Sequence, residues 1–347
     1  MRQRRLTKDE QPAVLPADEE SLAASSLLAE VRAAAKNILY LAKEIDDVDN
    51  GSFNRKESSF KRRSSKEEQS LKMREDVGVQ SLSLAERPEP LPALTDRTIV
   101  GAFSCHGRDE IDKINQDCAC IVHPVGEEPS SALFCVYDGH GKFGSQVSLQ
   151  VLQSVHYELN GRHAPAVLRD DPPAALADAF EAVQKQLGAI ACGDLAVDAR
   201  DSGACALVVH VLGSTLTVAN AGDCTCVMGR CLPTPSPMYH AVTLSMDHKP
   251  DLPAEKARIE GMGGWVRPAE VENGELMSPA RLYETPGNRR RGPGLTISRS
   301  IGDLDAMRCG LLPTPAVTTH AVQPHDKFLI LASDGIWEFI SPQVSAA

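Results

Sequence analysis

The sequence predicts a mixed domain of strands and helices, about 250 residues long, behind an N-terminal tail. Three observations carry this. The chain has 347 residues, more than one average domain, and 42% of them are apolar, enough for a substantial core. Three apolar runs end in an acidic residue beside a glycine: 132–137 leads into Asp138-Gly139, 216–221 into Gly222-Asp223, and 328–333 into Asp334-Gly335. Each reads as a buried strand closed by a tight turn. Helical patterns lie between them, at Val147, Val151, Leu152 and Val155 and in the alanine- and leucine-rich run 174–187.

Charge excludes some functions. There are 36 basic and 47 acidic residues, a net charge of −11, so nucleic acid and anionic membranes are not expected as general partners. A chain of this charge that handles phosphate needs a local cation, which bound metal would supply. No apolar run approaches the roughly 18 residues of a membrane span, and Met-Arg-Gln-Arg-Arg-Leu is followed by acids and prolines rather than a signal core. The ten cysteines are scattered. Cys118 with Cys120, and Cys224 with Cys226, do not have zinc-site spacing; on a strand each pair shares one face. They read as reduced thiols of a cytoplasmic or nuclear protein.

Residues 1–95 differ from the rest and are expected to be a largely disordered extension. Aromatics are sparse, charge is dense, and Pro88, Pro90 and Pro92 make an extended linker. One amphipathic helix is expected near 20–48, from Leu27, Leu28, Val31, Ala35, Ile38 and Ala42, with Asn50-Gly51 as its stop; a docking helix and a solitary one remain equal readings. Ser64 and Ser65 follow basic residues and are candidate phosphosites. A nuclear-import patch is the rival reading, and a solvated basic linker the plainest.

From residue 96 a folded domain is expected. Thr98 to Ser104 reads as a strand, and Asp117 leads into another, Cys118 to Val122. Gln146 to Tyr157 reads as a helix ended by Gly161, and Pro172-Pro173 opens a second one. Residues 204–211 and 215–219 form a hairpin across Leu212-Gly213-Ser214, and 226–228 a further strand. Leu252 to Met262 is a helix with Glu255/Arg258 and Lys256/Glu260 at pairing distance, terminated by Gly263-Gly264. The stretch 267–294, rich in Gly and Pro and holding Arg289, Arg290 and Arg291, reads as a long functional or mobile loop. Ile336 to Phe339 begin a helix after the last strand.

The chemistry is expected at Asp138-Gly139-His140-Gly141. A strand end holds a carboxylate rigidly, the glycine lets its carbonyl approach a ligand, and an imidazole stands alongside; hard cations such as Mg²⁺ and Mn²⁺ favour such oxygens. One Asp-Gly pair is an ordinary turn. Three strands ending alike exceed what turn statistics produce.

Several stretches, in order over 98–347, resemble the metal-dependent Ser/Thr protein phosphatases of type 2C, the PPM family. They are Asn115-Gln116-Asp117, Tyr137-Asp138-Gly139-His140-Gly141, Ser202-Gly203, Asn220-Ala221-Gly222-Asp223, Asp247-His248-Lys249-Pro250, Arg258-Ile259-Glu260 with Gly263-Gly264, Ser298-Arg299-Ser300-Ile301-Gly302-Asp303, and Ala332-Ser333-Asp334-Gly335-Ile336-Trp337. The resemblance implies an α+β fold, a four-layer α/β/β/α sandwich of two mainly antiparallel sheets flanked by helices, with metals in a cleft at one end. It implies two Mn²⁺ or Mg²⁺ ions bridged by Asp138, the Gly139 carbonyl on one of them, and Asp334 as a further ligand. Asp223, Asp334 and Glu338 match the positions of a weaker third ion, and Asp117 an acid that binds or orients metal-bound water. The implied reaction is hydrolysis of phosphoserine and phosphothreonine in proteins by a metal-activated water, with His140 protonating the leaving oxygen.

The match has departures. Gln116 stands where many members have Glu, and Cys205 where Thr is common. The family's phosphate-gripping arginine has no clear counterpart, which leaves Lys113 and Arg108 as candidates. The family closes with further strands and an Asp-Asn pair that nothing after Trp337 matches, so residues 96–347 are expected to form a phosphatase domain incomplete at its C-terminal end, with its last strands missing. The expected partners are phosphoprotein substrates, and the catalytic domain is expected to be monomeric. The alternative function is an inactive module that binds or regulates a phosphoprotein. A phosphodiesterase or nuclease is disfavoured by the acidic charge.

Overall fold

The structure, a computed structural model, describes residues 98, 100–105, 114–161, 164–190, 197–232, 238–286 and 294–346. The helix expected near 20–48, Ser64, Ser65, Arg108, Lys113 and Arg289 to Arg291 lie outside the described residues.

The strand that carries Asp138-Gly139 is β2 (Ser131–Gly141), and from Leu133 on its side chains alternate between a buried and a half-buried face. It pairs antiparallel with β1 (Cys118–Val122) and with β3 (Ser202–Leu212). β3 is buried on both faces along nearly its whole length, as a central strand must be. The turn Gly213-Ser214 returns it as β4 (Thr215–Ala221), so the expected hairpin is present. β5 (Thr225–Leu232) and β6 (Met238–Thr243) follow, then a helix, four short strands and β11. In that stretch β7 is Trp265–Arg267, β8 Glu270–Glu272, β9 Glu275–Ser278, β10 Arg281–Tyr283 and β11 Ile301–Gly302. β12 (Ala316–Ala321) and β13 (Asp326–Ala332) complete the strands. The first sheet has the order β1-β2-β3-β4-β12, with β11 also pairing β3; the second has the order β13-β5-β6. All these pairings are antiparallel.

The alternation of β3 decides the layering. Cys205, Leu207, Val209 and Val211 share a core with Cys226 and Met228 of the second sheet and with Cys224 just before it, with Phe134, Val136, Leu329 and Leu331 packed against them. The first sheet also carries α1 (Gly144–Asn160) and α3 (Pro172–Ile190), and α2 (Ala164–Asp170) packs on those two helices. Val147, Val151, Leu152 and Val155 of α1 and Leu176, Phe180, Val183 and Leu187 of α3 are buried, and their steps of three and four residues make the stripe of a one-sided helix. Burying a leucine or phenylalanine of this kind contributes about 2–3 kcal/mol before ordering costs. The mainly antiparallel sandwich with flanking helices is therefore present.

A smaller core gathers Ile259 of α4 (Pro253–Gly261) with Val266, Leu282, Cys309 and Leu311. The chain ends in a single turn α5 (Asp334–Trp337) and a short α6 (Pro342–Ala346), whose Gln343 bonds the main chain of Tyr239 and Ala241 on β6.

Two expectations on elements differ. Residues 98 and 100–104 form no strand, and Phe103 is 89% exposed; strand propensity acts only where a partner edge is supplied. The stretch 267–294 is not one long loop: β8 and β9 form a hairpin, and β10 pairs with β7. Asn273 and Gly274 carry it, both at positive φ, the geometry of a two-residue hairpin turn.

Candidate metal centre

Asp138 lies near the end of β2, Asp223 follows β4, and Asp334 follows β13. β2 and β4 belong to the first sheet and β13 to the second, and the Gly222-Asp223-Cys224 link is where the chain crosses between sheets. Carboxylate oxygens from the three residues all lie within 4.8 Å of one another. A position 85 residues from Asp138 in sequence, and another 111 further on, thus meet in one cleft.

Three carboxylates so close resist ionising together. Burial, then the charges of Asp117, Asp334 and Asp223, push Asp138 up to about 9. Burial and Asp223 also raise Asp334, while the hydrogen bond it accepts from Asp138 works the other way. A divalent ion would compete with the proton that Asp138 retains. The donors are hard oxygens, the set that Mg²⁺ and Mn²⁺ take. The cluster fits such an ion.

The turn at Asp223 is fixed by backbone geometry. Gly222 has φ +122°, and a Cβ there would run into Cys205. The main-chain N–H of His248 donates to the Gly222 carbonyl at 2.9 Å. His248 is fully buried, and burial pushes its imidazole down to about 4, so a neutral ring props the turn. Asp223 accepts from the Cys205 thiol at 3.1 Å and from Lys249 at 2.6 Å.

Of the other residues expected here, Asp117 is half-buried beside Asp138 and accepts from Ser333 Oγ at 2.7 Å, which ties the entry to β1 to the end of β13. Gly139 donates its N–H to the Gln116 carbonyl at 3.2 Å and is packed too tightly for a side chain. Gln116 is turned away from an acid's role, donating to the Gly141 carbonyl at 2.9 Å. Glu338 caps α5 one turn after Asp334; it is exposed, outside the triad, and acts on Asp334 by charge. Lys113 and Arg108 lie outside the described residues.

His140 faces Asp303, its Nε2 2.6 Å from Oδ2. Burial lowers the ring's proton affinity, but Asp303's charge and hydrogen bond outweigh it, and the net shift is upward. Asp303 is 2% exposed and also accepts from Ser300 Oγ at 2.5 Å. Sequence reasoning gave no role to Asp303 or Lys249. The signal for Asp303 was slight: Gly302-Asp303 is a further glycine-acid pair, but the stretch before it, Thr296 to Ser300, is mostly polar. Lys249 had no comparable mark.

Residues 103–346 match the family Protein phosphatase 2C. Probable protein phosphatase 2C 48 of Oryza sativa subsp. japonica is 33% identical over 254 residues, covering 69% of this chain and 70% of its own length. Probable protein phosphatase 2C 73 of Arabidopsis thaliana is 32% identical over 246 residues, covering 66% and 63%. Among solved structures, a serine-threonine phosphatase 2C from Toxoplasma gondii superposes with a TM-score of 0.51 at 24% identity, over 67% of this chain and 77% of that one. A sex determining protein of C. elegans gives 0.50 at 19%, over 66% and 50%. At those identities the structural likeness speaks for the fold.

Proposed function

Because the chain belongs to the protein phosphatase 2C family, we propose that it hydrolyses phosphoserine and phosphothreonine in proteins at the Asp138, Asp223 and Asp334 cleft. The convergence of those three carboxylates carries the proposal. They would hold Mn²⁺ or Mg²⁺, two ions and a weaker third, with Asp117, the Gly139 carbonyl and Glu338 completing the set. Bound ions supply Lewis-acid activation of water and offset charge on the phosphoryl oxygens.

The chain's own residues do the rest. Asp138 is aimed by a strand paired on both sides, so its position is fixed before any ion arrives. His140 is the proton donor to the leaving serine or threonine oxygen, and Asp303 keeps its ring charged and oriented. Ser333 holds Asp117 in register with Asp334. Lys113 and Arg108 are the candidate phosphate contacts.

Residues 96–347 form the phosphatase domain and 1–95 an extension. The domain acts as a monomer on phosphoprotein substrates, in the cytoplasm or nucleus. Among the described residues no helix is long and apolar enough to cross a membrane. The reading as an inactive binding module gains nothing from the comparisons.

The test is phosphate release from a phosphothreonine peptide with Mn²⁺. Asp138→Asn should lower turnover at least about a hundredfold and weaken Mn²⁺ binding, since it removes charge at the shared ligand. Normal Mn²⁺-dependent turnover in that variant would refute the assignment.

A further inference from the structure

Both oxygens of Asp223 are engaged. Oδ1 accepts from Cys205 Sγ at 3.1 Å, and Oδ2 accepts from Lys249 Nζ at 2.6 Å. The Asp223 side chain is 4% exposed, so little water is available to stabilise its charge. Among the described residues, Lys249 is the lysine or arginine that forms an ion pair with the triad. An ion entering between Asp138, Asp223 and Asp334 must therefore share Asp223 with an ammonium or displace it.

We infer that Lys249 is a tethered counter-ion that occupies Asp223 in the metal-free chain and is exchanged for the divalent cation. The inference rests on the metal-site reading above. Displacement needs no backbone change. Pro250 and the His248 N–H bond to Gly222 hold the segment, while the four-carbon stem of Lys249, 39% exposed at its side chain, swings towards water. Asp247 lies close enough to act on Lys249, and its carboxylate is fixed by the Thr225 hydroxyl at 2.9 Å, which gives the released ammonium a second partner. The lysine lets the acidic cleft fold before metal is available, and it raises the metal concentration at which the site fills. Metal uptake is then an exchange of charge rather than an addition.

The test uses the full chain, with Mn²⁺ titrated by calorimetry and thermal unfolding recorded in chelator and in saturating Mn²⁺. Lys249→Met keeps the bulk and removes the charge. Its Mn²⁺ affinity should rise about tenfold, a modest effect for a unit charge at this range in a half-exposed position. Its Tm should fall in chelator, and the deficit should close in Mn²⁺. Lys249→Arg should behave as wild type in both. Unchanged or weaker Mn²⁺ binding by Lys249→Met, or a Tm deficit equal in both conditions, overturns the exchange. So does unchanged Mn²⁺ binding with weaker binding of inorganic phosphate, which makes Lys249 a phosphate contact. Absence of Mn²⁺ binding by the wild-type chain overturns the metal-site reading itself and this inference with it.

Discussion

His140 Nε2 lies 2.6 Å from Asp303 Oδ2, although 163 positions separate the two residues. The approach is possible because β11 runs beside β3 at Gly203, where any side chain would collide with both the carboxylate and the imidazole. Asp303 itself sits at φ +44° with its N–H donating to the Ser202 carbonyl at 2.9 Å. The carboxylate is therefore pinned by backbone before it meets the ring.

Asp303→Asn tests that pairing. The amide keeps the shape and a bond to Ser300 but loses the charge that favours the imidazolium. We expect kcat for a phosphopeptide to fall about 10- to 100-fold, in the range of a weakened general acid, with KM and Mn²⁺ affinity little changed. Assay against an aryl phosphate, whose leaving group needs no proton, should show a much smaller loss; equal losses on both substrates would assign Asp303 a purely structural part.

Glu255 predicts acid sensitivity. It is buried on α4 and meets Arg299 at 2.6 Å, Arg258 at 2.7 Å and Ser298 Oγ at 2.6 Å. Burial opposes its charge, but the bonds from Arg299, Ser298 and Arg258 win and hold it down to about 2, from 4.5. A depressed carboxylate stabilises the fold fully above its unfolded value and loses that contribution as pH falls. Stability worth about 3 kcal/mol should thus disappear between roughly pH 4.5 and 2. Urea unfolding at a series of pH values checks it. Glu255→Gln should remove this part of the acid dependence and cost about 3–5 kcal/mol near neutrality, because two arginines are left without their anion.

Gly222 predicts a coupling between turn and metal. Gly222→Ala forces a side chain into positive φ and onto Cys205. The cost is about 1–3 kcal/mol in unfolding free energy. Asp223 should be re-aimed, so Mn²⁺ affinity should drop in a chain that still folds. Calorimetric Mn²⁺ binding equal to wild type would show that the turn does not position Asp223.

Much of this was legible in one dimension. The period of two in β2, the stripe of α1 and the prolines at 172 and 173 are local properties, and the elements they predict are present. Asp138, Asp223 and Asp334 stood out because strand ends and glycine-acid turns mark themselves in sequence. The hairpin of β8 and β9 was marked too, by Asn273-Gly274, but its polar composition masked it as loop. The stretch at 98–104 misled, because an apolar run records propensity and not the presence of a neighbour.

Local pattern is enough to read most of the strands and helices, the strand ends that carry acids, and the family pattern they follow, since each depends on residues close together in the chain. Folding set the long-range partners: Lys249 takes Asp223, Asp303 takes His140, and Arg299 joins the helical neighbour Arg258 on Glu255. Those partners are set by strand order, register and the crossing between sheets. Charge attracts charge at a few ångströms through space, and the spacing of residues along the chain does not encode that distance.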